Sequence, residues 1–236
     1  ELTTRKAEIL TFLRDARTAH SAAAETIRAV SRDGSLPLSF AQERLWFLDQ
    51  LDPGSPVYNI PEAVWIGPGL SESALQKALD TIGARHEVLR TTFVSVDGIP
   101  SQVIGDPRPV ELMTVDVSGA CGAKQEAEIQ RLLQHEARRP FDLSRDLMLR
   151  GTLLRLDQGE RVLLLVTHHI ACDGWSMGIL FQELAALYEA FAEGRPAHVP
   201  ELRVQYADYA HWQRRRLRGE LLESLLSYWG RQLGGS

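Results

Sequence analysis

Residues Thr167–Ser176 read THHIACDGWS and join two segments with different hydrophobic patterns. The segment before them, Val162–Val166 (VLLLV), is an uninterrupted apolar run typical of a strand buried on both faces. After them, apolar residues recur at helical spacing from Met177 to Phe191, and a helix is expected to end at Gly194. The sequence therefore predicts a core strand, an Asp-Gly turn and a helix in succession. In α/β folds, polar residues at such a point usually sit at the mouth of a crevice.

Two adjacent histidines, His168 and His169, leave the predicted strand. Neighbouring residues on a strand point to opposite faces, so both rings cannot reach one reacting atom or chelate one metal while the strand stays regular. One ring is expected to face a site and the other to pack or to orient it. Asp173 could hold a ring or a backbone group, and Gly174 would let a substrate approach the chain closely. A buried, hydrogen-bonded pair of histidines with no chemical role fits the spacing equally well.

The motif HHxxxDG, which is followed here by Trp and Ser, resembles the signature of condensation domains of nonribosomal peptide synthetases. Their wider superfamily is similar to chloramphenicol acetyltransferase. Three more blocks of the family occur in the family's order: SFAQERLWFL at 39–48, RHEVLRTTF at 85–93 and YADYAHW at 206–212. Two less formal family-like stretches lie between them: PGSPVYNIP at 53–61 and RPFDLSRDLMLRGTLLRL at 139–156. The resemblance runs from about residue 36 to the end of the chain.

The resemblance implies an α/β fold, a mixed sheet with packed helices that forms a single lobe of a chloramphenicol acetyltransferase-like sandwich. It implies amide bond formation between an acyl or peptidyl thioester donor and an aminoacyl thioester acceptor in nonribosomal peptide or hybrid polyketide-peptide biosynthesis. Both substrates are carried by phosphopantetheine arms of upstream and downstream carrier protein domains. No bound cofactor and no metal are implied, because the pantetheine belongs to the partners.

The family motif also implies roles for individual residues. His169 is expected to act as general base or as the group that positions the amine. His168 and Asp173 are expected to support it structurally, and Gly174 to provide steric clearance. Cys172 occupies a variable position of the family pattern, and we interpret it as a packing residue.

Further structural support is expected around the motif, from Trp175 and Ser176 directly after it. The resemblance implies that Asp173 pairs with an arginine of the RHEVLRTTF block. Arg90 stands where a predicted helix meets a predicted strand and needs a partner if it is buried, so we assign the pair to Asp173 and Arg90. Arg85 is the alternative partner, and a solvated Arg90 also fits the sequence.

Other functions share parts of this pattern. Epimerization domains contain HHxxxDG, but the 39–48 and 85–93 blocks favour condensation. Heterocyclization domains replace the histidines with aspartates, and the intact pair excludes them. A free-standing acyltransferase that uses a soluble acyl thioester is the enzyme alternative, and a carrier-binding platform without catalysis is the other.

Composition limits the classes of protein that need to be considered. The chain has 236 residues, of which 44% are hydrophobic and 24% charged, with a net charge of −5. This balance gives no case for nucleic acid or an anionic membrane as a partner. Two cysteines, Cys121 and Cys172, are too few for a disulfide framework. Since no apolar run reaches about 18 residues and no signal peptide is recognisable, we expect a cytoplasmic protein.

Two parts are predicted along the chain. Residues 1–34 form a helical extension that serves as a docking segment or a linker, and 35–236 form the N-terminal lobe of a condensation domain. The 147–156 and 161–168 segments are predicted to form a hairpin that delivers the histidines. A complete condensation domain has a C-terminal lobe with further blocks, which are not found before Ser236. That lobe is therefore an expected partner.

Overall fold

The computed structural model describes residues 26–119 and 122–234. Six helices and seven strands lie in these ranges. The helices are α1 (Phe40–Leu51), α2 (Glu72–Arg85), α3 (Ala123–Arg138), α4 (Gly174–Ala192), α5 (Tyr206–Arg216) and α6 (Gly219–Leu233). The strands are β1 (Leu36–Pro37), β2 (Asn59–Ile66), β3 (Thr91–Val96), β4 (Ile99–Ile104), β5 (Leu112–Asp116), β6 (Leu149–Arg155) and β7 (Arg161–His168).

A four-stranded sheet in the order β2-β7-β6-β5 forms the centre of the fold. β7 runs antiparallel to both of its neighbours, whereas β5 and β6 are parallel. The sheet is therefore mixed, as predicted, and β6 and β7 form the predicted hairpin. β2 lies at one edge, which suits Pro61 because proline cannot donate to a strand ladder. A separate antiparallel sheet has the order β1-β4-β3.

β7 is buried on both faces because its alternate side chains enter two different cores. Leu163 and Leu165 pack with α2 and α4 on one side of the sheet. Leu164 and Val166 pack on the other side in a cluster that includes Leu45 of α1. The run VLLLV thus meets a requirement of a three-layer fold, in which a central strand has no polar face.

Helix starts are fixed by the side chains that the sequence indicates. Ser39 accepts a hydrogen bond from the Gln42 backbone while the Gln42 side chain accepts one from the Ser39 backbone, which is the predicted capping box. Ser71 caps α2 through the Ala74 N–H in the same way.

The N-terminal extension is described only from residue 26 onward, so the helix predicted around residues 9–16 lies outside the described residues. Residues 26–30, expected in a second helix, have no regular secondary structure. The predicted linker is held against the domain: Arg32 forms ion pairs with Asp208 at 2.6 Å and with Glu87 at 2.7 Å. The Val30 backbone N–H also donates to Asp208, at 2.9 Å.

Helix α6 has no buried residue. Its large apolar side chains nevertheless recur on neighbouring turns, and we call them the α6 apolar face: Leu221, Leu225, Leu226, Tyr228, Trp229 and Leu233. An amphipathic helix of this kind is normally stabilised by packing against another surface.

Candidate active site at the end of the central strand

His168 is the last residue of β7, and its side chain is buried with an exposed fraction of 3%. It follows Leu164 and Val166 in the two-residue alternation and therefore enters the same core. The rings of Tyr58 and Phe141 meet it edge-on, with centroids 6.3 and 5.9 Å away.

The His168 ring is neutral at physiological pH. Burial lowers its pKa to about 4, and the charges of His169 and Arg150 act in the same direction. Its Nδ1 accepts a hydrogen bond from the Ile170 backbone N–H at 3.2 Å, so the ring proton is on Nε2. The hydrogen bond ties the imidazole to the turn that follows the strand.

His169 is exposed, in contrast to the residue before it. Its backbone N–H donates to the Tyr58 carbonyl oxygen at 2.8 Å, which extends the pairing of β7 with β2 by one residue. The chain is therefore fixed at this point while the imidazole is presented at the surface. The predicted division between one packed and one accessible histidine is what the structure contains.

Asp173 caps the N-terminus of α4. Its carboxylate accepts hydrogen bonds from the backbone N–H of Ser176 at 2.8 Å and from the Ser176 hydroxyl at 2.6 Å. These hydrogen bonds from Ser176 lower the pKa of Asp173. A carboxylate at the positive end of a helix is also favoured by the helix dipole. Ser176 supports the motif as predicted, by orienting Asp173.

The predicted pairing of Asp173 with Arg90 is wrong. Arg90 donates instead to the carbonyl oxygens of Ala84, in the last turn of α2, and Gly105. The physical reason is that each charge already has a partner at a helix end. The negative end of α2 attracts the guanidinium, and the positive end of α4 attracts the carboxylate.

The alternative partner of Asp173, Arg85, is also engaged elsewhere. It forms an ion pair with Glu183 of α4 at 3.2 Å and donates to the Pro200 carbonyl. His86, the next residue, contacts the same carboxylate through Nε2 at 2.7 Å. The RHEVLRTTF block therefore binds the middle of α4, about three helical turns beyond the motif aspartate.

Trp175 does not support the histidines by packing, contrary to the prediction, because its side chain is 83% exposed. Cys172 does pack: it is buried, its Sγ lies 3.5 Å from Met177 Sδ, and burial raises its thiol pKa. A raised pKa keeps the thiol protonated and unreactive, which agrees with its interpretation as a packing residue. Gly174 has open space where a Cβ would be, with no atom within 4 Å.

Arg150 is a site residue that the sequence reasoning did not identify. Its guanidinium lies 3.9 Å from the Phe141 ring centroid and donates to carbonyls of Glu136 (3.2 Å), Arg139 and Pro140 at the end of α3. Burial lowers its pKa to about 10, a value at which it still carries its charge near His168. The available signal was the RPFDLSRDLMLR stretch, which contains both Phe141 and Arg150.

Two other functional classes receive no support in the described ranges. Within residues 26–119 and 122–234, no group of three or more His, Cys, Asp or Glu side chains is arranged to hold a metal ion. In the same ranges, every helix is too short or too polar to cross a membrane.

Comparison with protein families places the site in context. The family described as Condensation domain matches residues 32–236. One of the linear gramicidin synthase proteins of Brevibacillus parabrevis is 50% identical over 207 residues, which cover 88% of this chain and 4% of that protein. Phosphinothricin tripeptide synthetase PhsC of Streptomyces viridochromogenes is 45% identical over 204 residues, which cover 86% of this chain and 19% of that protein.

Solved structures show the same fold. The X-domain from teicoplanin biosynthesis superposes with a TM-score of 0.79 at 33% identity and covers 89% of this chain. The first condensation domain of the CDA synthetase superposes with a TM-score of 0.75 at 25% identity and covers 86%. This chain spans 46% and 49% of those two structures. It therefore corresponds to about half of each solved chain and to a small part of the curated relatives.

Proposed function

The chain belongs to the condensation-domain family, and on that premise we propose that it supplies the histidine-bearing half of a domain that forms amide bonds. The donor is an acyl or peptidyl thioester on one carrier protein, and the acceptor is an aminoacyl thioester on another. A C–N bond forms, the C–S bond breaks, and the amine nitrogen loses one proton as the thiolate leaves. The observation that carries the proposal is the contrast between buried His168 and exposed His169 at one strand end.

His169 is the residue that we assign to the amine. Its backbone is held by Tyr58 while its ring is accessible, which suits a group that must meet a substrate from outside the lobe. An imidazole can accept the amine proton and pass it to the departing thiolate, or it can accept a hydrogen bond that orients the amine. Both roles are compatible with the geometry, and a pH–rate profile separates them.

His168 is assigned a positioning role. A ring whose pKa is about 4 and whose Nδ1 is hydrogen-bonded to Ile170 is a poor base at neutral pH. Its aromatic neighbours and this hydrogen bond instead fix the turn on which His169 is carried. The Ser176 N–H at the start of α4 is occupied by Asp173, so we assign stabilisation of the developing oxyanion to a group other than that N–H.

Gly174 is assigned to steric clearance on the outside of the lobe. Because a Cβ at this position meets no atom within 4 Å, the fold of this chain does not require glycine there. We expect Gly174→Ala to leave the melting temperature of the chain unchanged and to lower amide formation by the complete domain. An unchanged rate would remove the clearance role.

The α6 apolar face is assigned to the second half of the domain. Its six large apolar side chains are exposed at the end of a chain that spans 46–49% of the related solved structures. Burying such a face on a second lobe would stabilise α6 and close a channel over His169. The carrier domains are the other partners, and they bring the phosphopantetheine arms.

The test uses this chain joined to a C-terminal half and two loaded carrier proteins. His169→Ala should lower the rate of amide formation by about 10²–10⁴-fold, the usual contribution of proton transfer by a positioned side chain. A base is indicated if His169→Asn is equally inactive and the wild-type rate follows a histidine titration. A positioning role is indicated if His169→Asn retains most of the rate. Wild-type turnover by a folded His169→Ala protein would contradict the proposal.

A protein-binding role without catalysis is the second candidate, because the X-domain from teicoplanin biosynthesis has been solved in complex with OxyB. That X-domain is 34% identical to this chain with a TM-score of 0.79. Under this alternative, carriers would bind the joined domain and no amide product would form. Mass spectrometry of the carriers distinguishes the two outcomes in the same experiment.

A further inference from the structure

An apolar cleft of about 330 Å³ lies beside the histidine motif, and we call it the motif cleft. It is bounded by the start of α4, by the turn that follows α2, and by the segment that leads into α5. Its floor includes Ile82, Leu89 and Leu180, which belong to the core of the lobe. Ile179 and Val204 line it as well and are 44% and 39% exposed, so they form its rim.

The polar side chains that line the motif cleft are already hydrogen-bonded within the protein. The partners are Glu183 for His86, Met177 for Cys172, Asp173 for Ser176, Arg85 and Glu87 for Gln205, Ser39 for Tyr206 and Gln213 for Tyr209. A polar ligand group would gain little from atoms that already have partners, and its own desolvation would go uncompensated. The motif cleft therefore suits an apolar group.

The motif cleft is continuous with the candidate active site. Ala171 and Cys172 line it and lie two and three residues after His169. Ser176 lines it too while it holds the carboxylate of Asp173. A group that enters the cleft is consequently attached to something that passes the turn carrying His169.

We propose that the motif cleft binds the apolar side chain or acyl chain of one of the two thioester substrates and so selects hydrophobic substrates. The inference rests on the proposed amide-forming function. Its volume is sufficient, since an apolar cavity of roughly 150 Å³ in another protein accommodates benzene. The cleft recognises the same chemistry whether the group belongs to the donor or to the acceptor.

The first experiment measures binding to the chain itself, by calorimetry, with hydrolysis-resistant pantetheine amides. Leucyl and glycyl probes stand for the acceptor, and hexanoyl and acetyl probes stand for the donor. In one of the two pairs, the apolar probe should bind at least about tenfold more tightly than the small one, as expected for burial of several methylene groups. The pair that shows the difference identifies which substrate uses the cleft. Equal affinities within both pairs would overturn the inference.

Two variants fill the motif cleft from its rim, Ile179→Trp and Val204→Trp. Both positions are partly exposed and neither belongs to the catalytic machinery, so the fold should be retained, as circular dichroism would verify. Each should reduce the affinity ratio of the discriminating pair to about one, because the added ring occupies the space of the ligand. The matched control is Val103→Trp on β4, which is 47% exposed, lies outside the cleft and should keep the wild-type ratio. A ratio that survives both filling variants would overturn the inference.

The same probes are then titrated against the chain joined to a C-terminal half. Discrimination should persist there, and its loss would show that the second half, rather than a substrate, fills the motif cleft. Amide formation separates this inference from the proposed function. If only the cleft assignment is wrong, the joined domain makes product and Ile179→Trp does not alter its preference between apolar and small substrates. If the function is wrong, no substrate gives product, while probe binding to the cleft still reports on the site.

Discussion

Helices α4 and α6 have similar sequence patterns and opposite surroundings. α4 buries Met177, Leu180, Leu184, Leu187 and Ala190 against the sheet and α2. α6 carries leucines and aromatic residues at comparable spacing and buries none of them. Hydrophobic periodicity thus predicts that a segment is helical and which side seeks a partner, but it contains no information on where the partner is. For α4 the partner lies in this chain, and for α6 we propose that it lies in the other half of the domain.

The largest expected difference between the two helices is in core packing. Leu187 is fully buried, and Leu187→Ala should destabilise the chain by about 2–5 kcal/mol. Leu226 on α6 is 63% exposed, and the matched change Leu226→Ala should cost less than about 0.5 kcal/mol. Urea unfolding of both variants measures the contrast, and equal costs would show that α6 is packed in solution.

A second contrast concerns pH, since the strand that leads into α4 ends in a buried titratable ring. The folded pKa of His168, about 4, lies below the value of 6.5 for an unburied histidine. The unfolded chain therefore binds a proton between pH 6.5 and 4 that the folded chain does not, and stability falls as the pH falls through that window. The loss amounts to about 3 kcal/mol.

The His168 contribution is isolated by comparing variants. In His168→Asn, the steep part of the stability profile between pH 6.5 and 4 should disappear, because asparagine does not titrate. His198→Asn, at an exposed histidine, is the matched control and should retain the wild-type profile. Identical profiles for wild type and His168→Asn would contradict the buried neutral ring.

The helix starts differ as well, with a smaller effect. Asp173 caps α4 through Ser176, whereas Arg218 at the start of α6 makes no side-chain capping bond. Asp173→Ala should destabilise the chain by about 1 kcal/mol. Arg218→Ala should have an effect within about 0.5 kcal/mol. Urea unfolding measures both changes, and equal costs would show that the Asp173 cap adds nothing to stability.

Asp173 also permits a test of the pairing that the family motif suggested. Because Asp173 and Arg90 have separate partners, the costs of Asp173→Ala and Arg90→Ala should add within about 0.5 kcal/mol in the double variant. A coupling well above that value would restore a direct interaction between them.

The smallest expected effect on this chain is at the α6 apolar face. Trp229→Ala should change its stability by less than about 0.5 kcal/mol, because the ring is 55% exposed. In the chain joined to a C-terminal half, the same change should cost more than about 2 kcal/mol of association or unfolding free energy, as for an aromatic anchor at an interface. Equal effects in the two forms would remove the assignment of α6 to the second half.

The elements of this fold were predictable because their signals are local. The run VLLLV, the caps at Ser39 and Ser71 and the alternation at His168 and His169 each depend on a few neighbouring residues. The ion pair between Arg85 and Glu183 was not predictable, since 98 residues separate the partners and neither position is marked by spacing. Asp173 and Arg90 were assigned to one another because each needs a partner, and the helix ends that supply those partners become visible only in three dimensions.

Trp175 shows the same limit from the opposite side. A tryptophan beside a catalytic motif suggests packing, but whether its ring is covered depends on what lies above the start of α4. The motif cleft was missed for a related reason. Its walls come from residues 82–89, 171–180 and 202–209, whose apolar character is equally consistent with a filled core.

The most direct test of the central claim is the yield of amide product from two loaded carrier proteins, measured by mass spectrometry for this chain alone and for the chain joined to a C-terminal half. Alone, the chain presents His169 on an open surface, and the advantage of positioning two substrates, up to about 7–11 kcal/mol in well-oriented systems, is largely lost. We predict product from the joined domain, loss of that product in its His169→Ala variant, and none from the chain alone. Efficient amide formation by the chain alone, or by the joined His169→Ala variant, would contradict the account.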